Sequence, residues 1–154
     1  MKKYANVNEA FRSLERSKKI VVSLSNDYPY DYQNFGRTIL WHLYNICEAA
    51  LYVCCAHDAT VSGTITFPSL KELPKFNKIP TMDIPRDIRE AAKKASEYSK
   101  PDLENGIDPL ELYDAIQAIN TFLEWICANT RVEEIKFDLE DLLRNDIFHR
   151  IFAL

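Results

Sequence analysis

The chain has 154 residues, a formal net charge of −4, 47% hydrophobic and 27% charged residues, and only three glycines. That length and apolar content suffice for one buried core and require no second domain. Scarce glycine disfavours a turn-rich β-sandwich, and the negative balance argues against a dedicated, sequence-independent nucleic-acid binder. No apolar leader follows Met1, and no uncharged apolar run approaches the roughly 18 to 20 residues of a membrane span. The expectation is a soluble, cytoplasmic protein that does not engage a membrane.

Charge is unevenly distributed. Residues 1–19 hold Lys2, Lys3, Arg12, Arg16, Lys18 and Lys19 against Glu9 and Glu15. Between Asp102 and Asp141 acids dominate, with only Arg131 and Lys136 in opposition. Such asymmetry either steers a polyanion to one face, or pairs two subunits, or reflects solvated helix faces. The four cysteines, Cys47, Cys54, Cys55 and Cys127, lie within apolar helical patterns and read as reduced core thiols. Cys54 and His57 lack the CxxC pair that would complete a zinc site, so no metal and no cofactor is implied.

In chain order, Val7, Phe11, Leu14 and Val21 recur at helical spacing and predict a first helix over about 8–24, ended by Asn26, Asp27 and Pro29. A second helix is predicted over about 32–57. Phe35, Ile39, Leu43 and Ile46 draw one apolar stripe and Leu40, Tyr44, Cys47 and Leu51 another, so this helix is buried on two sides. Residues 58–84 carry Gly63, Pro68, Pro74 and Pro80. TVSGTITF suggests an extended strap, and Ser69 with Glu72 has the spacing of a capping box before a short helix.

A third helix starts at Pro85, its first helical residue, and presents Ile88, Ala91, Ala92 and Ala95 as a narrow face of small residues. DPLE, with Asp108 as N-cap and Pro109 in the first turn, opens a fourth helix ending near Asn129. A fifth is predicted over about 136–153 on Leu139, Leu142, Leu143, Ile147 and Ile151. The fold class is therefore all-α, an antiparallel bundle of four to five helices, in one domain spanning 1–154 with its core over about 5–130.

This arrangement resembles a HEPN domain (higher eukaryotes and prokaryotes nucleotide-binding) over roughly residues 5–130, with an extension through the last helix. HLYNICEAAL, with His42, Glu48 and Leu51, is similar to the family's second-helix pattern of a histidine or aromatic followed by E-x-x-L. Tyr52 stands where many relatives have lysine. IREAAKKASEYSKPD resembles the third helix and DPLELYDAIQAINTFLEWI the fourth. The resemblance implies an up-and-down bundle, a homodimer, and one of two roles. Some HEPN proteins are metal-independent endoribonucleases with an R-x4-6-H motif completed across the dimer. Others associate with nucleotide or RNA without cleaving it, or partner a minimal nucleotidyltransferase or an antitoxin.

Two segments match the motif. RNDIFH supplies Arg144, Asn145 and His149; RTILWH supplies Arg37 and His42. Eight arginines and three histidines in 154 residues give about 0.5 chance matches, so the pattern needs structural support. The chemistry is coherent: arginine holds a phosphate bidentately, histidine moves a proton to or from a ribose hydroxyl, and asparagine orients either. On a continuous helix, however, positions five apart lie about 140° apart. RNDIFH as a site therefore requires a helix break or a second subunit; otherwise it is the polar face of a terminal helix. Glu48, in an otherwise apolar helix, must be exposed, paired or part of a ligand site together with Arg37 and His42. Tyr28, Tyr30, Tyr32 and Phe35 either stack bases or pack a hairpin.

Overall fold

The computed structural model describes residues 4–27, 32–62, 69–75, 78–79, 82–102 and 105–152. The chain is predominantly helical, as its apolar periodicity requires. Among the described residues the helices are α1 (Val7–Asp27), α2 (Tyr32–Ser62), α3 (Arg86–Ser96), α4 (Pro109–Asn129), α5 (Glu133–Arg144) and α6 (Ile147–Phe152). Two-residue strands β1 (Lys78–Ile79) and β2 (Met82–Asp83) pair antiparallel, Lys78 opposite Asp83 and Ile79 opposite Met82.

Helix α2 is the axis of the core. Leu40, Leu43, Ile46, Ala49, Ala50 and Leu51 are all essentially inaccessible, which accounts for both of its apolar stripes. By length and apolarity the stretch Asn34–His57 is sufficient to cross a bilayer, yet 83% of its apolar 18-residue window is buried inside the protein. α1 packs along α2, α4 packs against α2, α3 and α5, and α6 returns to touch α1. At Gly36 the α2 backbone comes so close to the segment before α4 that an added Cβ would sit 2.6 Å from Ile107 Cγ2. Only glycine permits that approach without moving Ile107.

Several boundaries differ from the sequence expectation. α2 continues through Thr60 and Val61 to Ser62, where a strap was expected; 63–67 lie outside the described residues. The short helix after Ser69 is a single 3-10 turn, Leu73–Lys75. The Ser69 hydroxyl accepts from the Glu72 N–H (3.3 Å) and donates to the Glu72 carboxylate (3.1 Å), so the pair closes on itself. Pro85 is extended (ψ 158°) and serves as the N-cap of α3 rather than its first helical residue. At α4 the expectation holds: the Asp108 side chain accepts from the Leu110 N–H at 2.8 Å. The largest difference is at the C-terminus, where 136–153 is not one helix: α5 ends at Arg144, and α6 begins at Ile147.

A candidate functional site at the α5–α6 break

The break falls inside RNDIFH. Arg144 is the last residue of α5, and Asn145 caps it, its N–H donating to Leu142 O (3.1 Å) and its side-chain amide to Asp141 O (2.7 Å). Asp146 has φ +48°, a left-handed conformation that asparagine and aspartate tolerate better than other side chains. Its carboxylate accepts from the His149 N–H (3.4 Å), capping the first turn of α6, and lies 3.5 Å from His149 Nε2. Arg150 reaches back across the fold: its Nη1 donates to the Asn26 side chain on α1 and, at 3.3 Å, to Asn145 Oδ1. Arg144 and His149 are both exposed. The Asn145 amide therefore holds the break open rather than standing free to orient a substrate.

Beside this break, α1 and α5 border an open groove of about 490 Å³ lined by Lys18, Lys19, Val22, Ser23, Asn26, Asp27, Asp141 and Asn145. Lys18 crosses the groove to Asp141 (2.9 Å) and Asp138 (3.4 Å). Burial opposes the charge on Lys18, but the two aspartates outweigh it and its pKa is raised. The same contact lowers the Asp141 carboxyl, chiefly through the hydrogen bond from Lys18.

The second motif match is arranged differently. Arg37 Nε donates to Gly106 O at 2.8 Å, with Glu111 at 3.7 Å and Asp102 at 4.0 Å, so its guanidinium ties α2 to the segment that leads into α4. Glu111 also accepts from the Tyr98 hydroxyl (3.1 Å). His42, on the unbroken α2, packs its ring against Trp41 at 4.8 Å. Its Nδ1 is buried without a hydrogen-bond partner, and burial lowers its pKa. A regular helix turns these two residues about 140° apart, so RTILWH assembles no common site within α2.

Glu48 is the third residue of that predicted group, and it faces inward. Only 2% exposed, its Oε1 accepts from the Tyr44 hydroxyl (2.5 Å) and from the Leu70 N–H (3.0 Å). Burial, then the hydrogen bond to Glu48, pushes the Tyr44 phenol up and keeps it a donor. Tyr4 packs on Tyr52 at 5.3 Å, and burial is the main cause of its rise to about 12. Arg37, His42 and Glu48 thus serve three separate neighbourhoods rather than one ligand site.

The cysteines are all free and buried, and the Cys54 thiol meets Thr130 Oγ1 at 3.1 Å. Among the described residues no three His, Cys, Asp or Glu side chains converge as metal ligands. Of the aromatic turn, Tyr28, Tyr30 and the Tyr32 side chain lie outside the described residues, while Phe35 packs against the core. Asp146 and Arg150 are the site residues that sequence reasoning missed. Aspartate three before His149 is an N-cap spacing that was legible, whereas the Arg150–Asn26 contact spans 124 positions and leaves no local trace. Compared with known proteins, the chain matches no family model, no curated protein and no solved structure.

Proposed function

We propose that this chain is a HEPN-like module, an up-and-down antiparallel helical bundle that works as a cytoplasmic homodimer and associates with RNA or nucleotide. The observation that carries the reading is the interruption of RNDIFH at Asn145–Asp146, which sets Arg144 and His149 on two different helices at the protein surface. Beside it runs a groove to which α1 brings Lys19 and the Asn26 side-chain amide, next to the Lys18–Asp141 pair. Phosphate oxygens are recognised by such donors without any demand on base identity. A minimal nucleotidyltransferase or an antitoxin is the partner class this reading favours.

A second reading, a metal-independent endoribonuclease, gains from the same break. A continuous helix would separate arginine and histidine by about 140°; the break removes that restriction. In this reading Arg144 offsets charge on the scissile phosphate and His149 transfers a proton at the ribose 2′-OH or the leaving oxygen. The step is a transesterification: the 2′-oxygen bonds to phosphorus as the bond from phosphorus to the 5′-oxygen breaks, the proton lost by the 2′-OH passes through His149 to the 5′-oxygen, and the products are a 2′,3′-cyclic phosphate and a 5′-hydroxyl.

One experiment addresses both. Anisotropy of a labelled single-stranded RNA in EDTA is expected to report binding by the wild type and a loss of about tenfold or more in Arg144→Gln/His149→Gln. Equal binding by the double variant would remove RNDIFH from the site. Gel analysis of the same mixtures separates the two readings: cleavage that disappears in His149→Ala establishes the nuclease, and intact RNA establishes the noncatalytic module.

A further inference from the structure

We propose that the exposed face of α1 formed by Arg12, Arg16, Lys19, Ser23 and Asn26 is a track for the backbone of single-stranded RNA, delivering its phosphates to the groove beside Asn145. The inference rests on the RNA-associated reading above and adds to it the path of the strand.

The spacing of these residues is four, three, four and three. At about 100° per residue they fall within a band of about 80° and extend about 21 Å along the helix. All five are exposed. Among the described residues Arg12, Arg16 and Lys19 are paired with no acid, in contrast to Lys18 on the inner side of the same helix, which is held by Asp138 and Asp141. The last three members, Lys19, Ser23 and Asn26, line the groove that Asn145 also lines, and Asn26 accepts from Arg150. The stripe therefore runs without interruption into the α5–α6 break. Asp27, which also lines the groove, accepts from the Ser23 hydroxyl at 3.1 Å.

Charge and polarity identify the occupant. The band contains no apolar side chain, and Glu15 stands at its edge about 60° from Arg12. The stripe offers no aromatic or aliphatic anchor of the kind enriched at the centre of a protein–protein interface. A phosphodiester backbone needs only cations and neutral donors at regular intervals. The net charge of −4 leaves this stripe as a local cationic face; where it meets the groove, Asp141 is paired with Lys18 and Asp27 accepts from Ser23.

The test compares the wild type with Arg12→Gln/Arg16→Gln/Lys19→Gln on a labelled oligouridylate across a salt series, in EDTA, with helical content checked by circular dichroism. Each cation on a single strand contributes about −0.7 to the slope of log affinity against log salt. Loss of all three is expected to flatten the slope by about 2 and weaken low-salt binding by about tenfold or more. Each single variant is expected to flatten it by about 0.7, which keeps the test valid if the triple variant misfolds. Arg12→Lys/Arg16→Lys retains the slope if the contacts are to phosphate. Wild-type binding with an unchanged slope in the triple variant overturns the track and leaves the RNA-associated reading standing. Absence of wild-type binding at every salt overturns that reading, and the track with it. Unchanged RNA affinity combined with loss of self-association in sedimentation velocity overturns the track in favour of a contact between copies of the chain.

Discussion

Carboxylates are costly inside proteins unless their oxygens are satisfied. At Glu48 two donors meet this requirement, one a phenol four residues away on the same helix and one a backbone N–H 22 residues further along the chain. The Leu70 N–H sits outside any helix ladder, so Glu48 is its acceptor and fastens residue 70 to α2. Glu48→Ala is expected to lose about 2–4 kcal/mol, because it strands two buried donors and opens a void. Glu48→Gln keeps one acceptor and loses less. Urea denaturation measures both, as a shift in midpoint at constant slope. That Glu48 had to be paired or functional was legible from its apolar neighbours. Its partner at Leu70 was not, because no pattern between residues 48 and 70 signals the contact.

Among the elements, the α5–α6 junction is decided by a single backbone angle. The apolar series Leu139, Leu142, Leu143, Ile147 and Ile151 keeps helical phase straight through the junction. Periodicity therefore reads one helix where there are two. What interrupts it is Asp146 at φ +48°, held by its own cap on His149 and by the bonds that Asn145 makes to Asp141 and Arg150. A left-handed non-glycine residue costs about 1–2 kcal/mol, and an aspartate cap repays about 1 kcal/mol. Asp146→Ala is expected to destabilise by about 1–2 kcal/mol and to accelerate amide hydrogen exchange over residues 147–150. Asp146→Asn, which retains cap and backbone tolerance, stays within about 0.5 kcal/mol of the wild type. Rapid exchange there in Asp146→Asn as well would show that the cap is not what holds α6.

For the molecule as a whole, burial governs reactivity. All four thiols lie in the core, and desolvation raises Cys47 well above its ordinary value and Cys127 as well, suppressing the thiolate that reacts. A disulfide reagent is expected to modify the four cysteines only as fast as the fold opens, and all four at once in urea. Immediate modification of one thiol in the native protein would place it outside the core.

Amino-acid order by itself determined the helical class, the approximate spans of α1, α2 and α4, the Asp108 cap and the buried character of α2. Each of these depends on neighbours within a few turns, where 3.6-residue periodicity and capping chemistry operate. It also singled out Arg144, Asn145 and His149 as a pattern. Only tertiary structure decided that Arg37, His42 and Glu48 are dispersed, that RNDIFH straddles a break, and that α1 contributes most of the adjoining groove. Arg150 to Asn26 and Lys18 to Asp138 are contacts between residues 124 and 120 positions apart. Packing of the helices around α2 creates such pairs, and periodicity, being local, carries no record of them.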